Sequence, residues 1–161
     1  MVTLLTPNLA NTVTPCSGSS RSTDSDESWE VATSWLAECI NTHLKCRSSS
    51  EARRLPTRLL DVGEHGSLTV CLHLTDGTPS TVLYVILSHC WGGINIQKLE
   101  NETLSPMLKG ISISTLPQTF QDAITITRRL GLRYLWIDSL CIIQDSTEDW
   151  ARESSMMGLV Y

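Results

Sequence analysis

Between Leu116 and Tyr161 the alternation of apolar and polar positions describes a helix, a buried strand, a loop and a second helix. Phe120, Ala123, Ile124, Thr127 and Leu130 recur at steps of three and four, which is one stripe of an amphipathic helix over 117–130. Thr115 and Gln118 have the spacing of a reciprocal N-terminal cap, and Pro117 suits a first turn whose N–H has no helical partner. Arg128 and Arg129 favour the negative end of the helix dipole, and Gly131 suits a left-handed residue past the end. Tyr134-Leu135-Trp136-Ile137 is apolar on both alternating faces, the mark of a strand covered on both sides. In the second helix, Ser146 and Asp149 repeat the capping spacing. Trp150, Glu153, Met157 and then Val160 or Tyr161 fall on one face. Glu153 therefore lies on an apolar face, where a carboxylate is costly unless it is paired or used.

The upstream pattern adds one helix and three strands. Residues 29–47 read as an amphipathic helix with Ser28 as N-cap, and Trp35, Cys39, His43 and Cys46 follow one face. Two cysteines and a histidine there supply three of the four ligands a zinc ion needs. The plainer reading is a packed structural face. Residues 48–54 are a polar linker. Arg58–Val62 and Ser67–Leu74 read as two strands joined in a hairpin, and Val82–Leu87, apolar on both faces, reads as a central strand. That last strand runs into Ser88-His89-Cys90-Trp91-Gly92-Gly93. Loops at the C-terminal ends of parallel strands form the ligand crevice of open α/β sheets. This loop either binds a ligand or is a strand end with a glycine turn and a buried Trp. Asp138, which ends the second buried strand, is placed either for function or to cap the following turn. Residues 94–115 are a connection with a short helix around Leu99–Leu108. Cys90 and Cys141 show no activating neighbour, so buried inert thiols are expected.

Composition narrows the class. At 161 residues the chain is expected to form one domain, preceded by a Ser/Thr-rich segment, 1–28, that lacks aromatic residues and is expected to be disordered. Twelve basic against seventeen acidic residues give a net charge of −5 with no basic stripe, which disfavours nucleic acid and anionic membranes as partners. No apolar run reaches membrane-spanning length, and the N-terminus lacks the charged and apolar regions of a signal peptide. The six cysteines lack the dense spacing of a secreted scaffold, so reduced thiols in an intracellular protein are expected.

Three ordered motifs, YVILSHCWGG, LPQTFQDAITITRRLGLRYLWIDSLCIIQD and DWARESSMMGLVY, resemble the fungal heterokaryon-incompatibility (HET) domain. The segments WLAECINTHLKC and LPTRLLDVG resemble those that commonly precede it, so the likeness covers about residues 29–161. His89 departs from the Tyr often found there. The resemblance implies a cytoplasmic module that triggers programmed cell death when genetically different fungal cells fuse. It implies a flavodoxin-like or TIR-like three-layer α/β domain over 81–161, incomplete at its C-terminus, with 29–80 leading into it. Parallel central strands 82–87 and 134–137 would be joined by a right-handed crossover through helix 117–130. Through remote kinship with TIR domains it further implies NAD⁺ as substrate rather than cofactor. Glu153 would be the catalytic carboxylate, and Ser88, His89, Trp91, Gly92, Asp138 and Trp150 would bind the nucleotide. The rival expectations are a non-enzymatic signalling module, partnered by a second copy or another incompatibility protein, and an inactive fragment.

Overall fold

The computed structural model of the protein describes residues 22–43, 54–92 and 96–160. Its elements in chain order are α1 (Asp26–Thr42), β1 (Arg58–Asp61), β2 (Thr69–Leu74), β3 (Tyr84–Leu87) and α2 (Asn101–Lys109). There follow β4 (Ile111–Ser112), a 3₁₀ turn (Ile113–Thr115), α3 (Gln118–Arg129), β5 (Tyr134–Ile137), α4 (Asp138–Cys141) and α5 (Thr147–Val160). Residues 1–21 of the expected disordered segment 1–28, linker residues 48–53, and Cys46, Gly93 and Tyr161 lie outside the described residues, while Asp26–Ser28 of that segment are helical.

The protein is α/β, with an open mixed sheet in the order β3-β5-β1-β2-β4. Only β3 and β5 run parallel. β1 pairs antiparallel with both β5 and β2, and β2 with β4. An all-parallel centre is therefore not what forms, and β3 is an edge strand rather than a central one. Its apolar run led to the central assignment. The position beyond it holds no strand among the described residues, and all four β3 side chains are only partly buried. β1 takes the middle of the sheet instead, and its four residues are all buried.

α3 forms where its stripe placed it. Phe120, Ala123, Ile124 and Thr127 are buried against the sheet, and Gly131 takes φ +71°, as a residue past a helix end requires. The expected cap does not form. Pro117 itself is the N-cap, and Thr115 donates its hydroxyl to the Ser112 carbonyl inside the 3₁₀ turn. At the other end of α3, Arg128 bonds the carbonyls of Val62 and Ser67, which ties the helix to the β1–β2 connection. α1 begins three residues before the expected start, with Ser25 rather than Ser28 as N-cap. None of its residues is fully buried, and Trp35, read as part of a packed stripe, is 68% exposed. Cys39 is partly buried and His43 stands exposed at the helix end. No helix among the described residues is long and apolar enough to cross a membrane.

Candidate functional site

β3 and β5 run in register, Leu87 beside Ile137, so the residues that follow them emerge together at one edge of the sheet. β1 is antiparallel to β5, so its first residue, Arg58, reaches the same edge. Two groups of polar side chains lie there, and the Cys141 carbonyl bonds Arg58 of the second.

The first group gathers around Asp138. Its Oδ2 accepts from the Trp91 indole Nε1 at 2.8 Å, and its Oδ1 accepts from the Ser139 backbone N–H at 2.7 Å. Asp138 thus holds the indole of the opposing loop and the N–H of its own neighbour, while the short helix it opens has Ile137 as N-cap and no side-chain cap. His89 Nδ1 lies 3.8 Å from the same Oδ1, beyond hydrogen-bond reach. Both His89 ring nitrogens are buried with no hydrogen-bond partner among the described residues, as is Ser139 Oγ. The imidazole meets the Phe120 ring edge-on, with centroids 5.0 Å apart and planes at 88°. Lys98 Nζ lies 5.3 Å above the Trp91 ring. Ser88 and Cys90 are exposed, and Gly92 turns the chain at φ +62°, a conformation that favours glycine.

The second group holds Glu153, which is 2% exposed. Its carboxylate accepts from the Thr57 hydroxyl and, at 3.4 Å, from the Thr57 N–H. Arg58 is 4.0 Å away and Arg152 3.5 Å away. One turn earlier, Asp149 pairs with both Arg58 and Arg152 and accepts from the Ile143 N–H at 2.8 Å. Burial alone would raise the Asp149 pKa. The Arg58 and Ile143 hydrogen bonds and the two guanidinium charges outweigh it and hold the carboxyl below its ordinary value. The inward face of α5 is therefore Asp149, Glu153 and Met157, and Trp150, expected on that face, is 55% exposed. Trp150 instead lines a shallow cleft of about 240 Å³ with Gln144, Asp145, Ser146 and Thr147.

Of the expected site residues, His89, Trp91 and Asp138 come together in the first group, Glu153 belongs to the second, and Trp150 faces outward from α5. Arg58 and Asp149 were missed as site residues. The available signal was Glu153 itself, because a carboxylate on an inward face calls for a buried cation.

Cys141 registers both groups. Its carbonyl accepts from Arg58 Nε at 2.7 Å. Its thiol is pushed up to about 12, first by burial and further by the Glu153 and Asp138 carboxylates, against the lowering effect of an Ile137 backbone hydrogen bond and of Arg58. Such a thiol holds almost no thiolate at neutral pH. In native protein treated with iodoacetamide at about pH 8, where an ordinary thiol is partly ionised, exposed Cys90 is expected to alkylate and Cys141 to stay protected until denaturant is added. Peptide mass mapping reads this directly. Alkylation of Cys141 at the Cys90 rate would contradict the burial described.

Comparison with known proteins agrees with the motifs. The family model described as Heterokaryon incompatibility protein (HET) matches residues 84–161, from the first residue of β3 through α5. No curated protein and no solved structure matches the chain. The match takes in both strand-end loops and the helix that carries Asp149 and Glu153, so residues 84–161 carry the heterokaryon incompatibility (HET) domain that the motifs resemble.

Proposed function

We propose that the chain serves heterokaryon incompatibility as a protein-interaction module whose working surface is the sheet edge formed by the loops after β3 and β5 and the start of α5. The HET match over residues 84–161 supports a function related to heterokaryon incompatibility. The interaction reading is supported by the engagement of both carboxylates that catalysis would call on. Asp138 is held by Trp91 and the Ser139 N–H, and Glu153 by Thr57 and two arginines. Trp150, 55% exposed at the start of α5, suits recognition, because exposed Trp is enriched in interfaces. The partner on this reading is a second copy or another incompatibility protein in the cytoplasm.

A second reading, TIR-like NAD⁺ hydrolysis with Glu153 as the carboxylate, is favoured by one observation. Glu153 is 2% exposed on the inward face of α5, where a carboxylate is costly unless it is paired or used. One experiment separates the two. Purified wild type and Glu153→Gln, both checked for a cooperative melt, are incubated with NAD⁺, and each is expressed in cells to score death. The interaction reading expects no NAD⁺ loss from either protein and death retained with Glu153→Gln. NAD⁺ loss in the wild type alone would establish the enzyme instead.

A further inference from the structure

Two helices of this chain open on the same six-residue pattern, Asp-Ser-x-Glu-x-Trp: residues 24–29, DSDESW, ahead of and into α1, and residues 145–150, DSTEDW, ahead of and into α5. The local geometry repeats as well. Ser25 Oγ accepts from the Ser28 N–H and Ser146 Oγ from the Asp149 N–H, both at 3.2 Å. The Trp29 N–H bonds the Ser25 carbonyl at 3.1 Å, and the Trp150 N–H bonds the Ser146 carbonyl at 2.9 Å. Each copy thus presents an Asp before a helix and an indole on its first turn.

The first copy is filled. The Arg129 guanidinium lies 4.9 Å from the centroid of the Trp29 ring and pairs with Asp24 at 2.6 Å. Trp29 Nε1 donates to the same Asp24 oxygen at 2.9 Å. The second copy presents Trp150 to solvent beside the cleft with Asp145, and among the described residues no cation lies over its ring. One oxygen of Asp145 is committed, accepting from the Asn101 N–H at 3.0 Å and its Nδ2 at 3.1 Å. The other oxygen is not used in that contact.

We infer that the cleft of Gln144, Asp145, Ser146, Thr147 and Trp150 binds an arginine side chain carried by a partner protein. A planar guanidinium stacks on an indole and pairs with a carboxylate at once, the double contact that Arg129 makes on the first copy. The local charge agrees: Asp145 and Glu148 are exposed acids at this helix start, and Arg152, the basic group on α5, is spent on Asp149 and Glu153. A phosphate or carboxylate ligand would meet those acids, so this helix start is not an anion site.

The inference supplies the partner chemistry of the interaction reading and rests on it, yet the two fail separately. NAD⁺ turnover that depends on Glu153 would sink that reading, while the arginine site is tested on purified protein. The full chain, labelled with ¹⁵N, is titrated with N-acetyl-arginine methylamide and with its lysine and citrulline counterparts. The Trp150 indole N–H signal is followed, identified by its loss in Trp150→Phe. A saturable shift with the arginine compound is expected, several-fold weaker with lysine and absent with citrulline. Asp145→Asn keeps the acceptor for Asn101 and removes the charge, so it is expected to weaken binding about tenfold. No movement of the Trp150 signal, or an equal movement with citrulline, would overturn the site. Self-association of the wild type that Trp150→Ala abolishes, read by light scattering, would overturn the separate partner and assign the arginine to a second copy.

Discussion

Arg58→Met is expected to lower the stability of the protein by about 3–5 kcal/mol, the cost of removing one partner from a buried ion pair. Arg58 opens β1 at the centre of the sheet and is 4% exposed. Its Nε bonds the Cys141 carbonyl, its guanidinium pairs with Asp149, and Glu153 lies 4.0 Å away. Methionine fills similar space and supplies no donor, so Asp149 and Glu153 stay buried with only Arg152, the Thr57 hydroxyl and the backbone N–H groups of Thr57 and Ile143 between them. The Cys141 carbonyl loses its side-chain donor as well. Urea unfolding followed by circular dichroism should show the midpoint fall with an unchanged slope. Adding Asp149→Asn and Glu153→Gln, which retain acceptors but remove both charges, should recover a large part of the loss, because the cost is mainly uncompensated charge. A loss below about 1 kcal/mol, the range of an exposed pair, would show that this cluster does not anchor α5. The same cluster makes the protein acid-sensitive. The Asp149 pKa is lowered in the fold, so its contribution is present above the unfolded carboxyl value and is lost as pH falls through the folded one.

That cluster also marks where the sequence stops being legible. The helical periods of α3 and α5, the strand β5 and the short helix α2 follow from local spacing, and each stands close to where its pattern put it. Which face of α5 turns inward does not follow, because hydrophobic spacing favours Trp150 and the fold chooses Asp149. That choice depends on Arg58, 91 residues earlier in the chain. Likewise the apolar run of β3 tells that its side chains are to be covered, but not that the antiparallel β1 claims the centre beside β5. The first group of site residues was within reach, because two parallel strands in register must deliver their following loops to one edge. His89, Trp91 and Asp138 accordingly meet. Glu153 was singled out for the right physical reason, a carboxylate on an inward face. In the fold it is paired with Thr57, Arg58 and Arg152.

Phe120→Ala is expected to cost about 3–5 kcal/mol, the range for emptying a large aromatic site in a core. Phe120 is the only phenylalanine in the chain, is 1% exposed, and sits in the first turn of α3, where its N–H bonds the Pro117 carbonyl. Helix propensity would tolerate alanine there, so the loss is one of packing. The void opens against His89, whose imidazole meets the ring edge-on and whose two nitrogens are buried without partners among the described residues. Removing the ring therefore frees the loop after β3 as well as weakening the core. Phe120→Leu keeps most of the apolar volume and is expected to cost only about 1–2 kcal/mol. The contact itself is read by a double-mutant cycle with His89→Ala. The edge-to-face pair should show a coupling of about 0.5–1.5 kcal/mol. Strict additivity of the two losses would mean that Phe120 supports the sheet alone, and that the position of His89 at the strand end is set by its own loop.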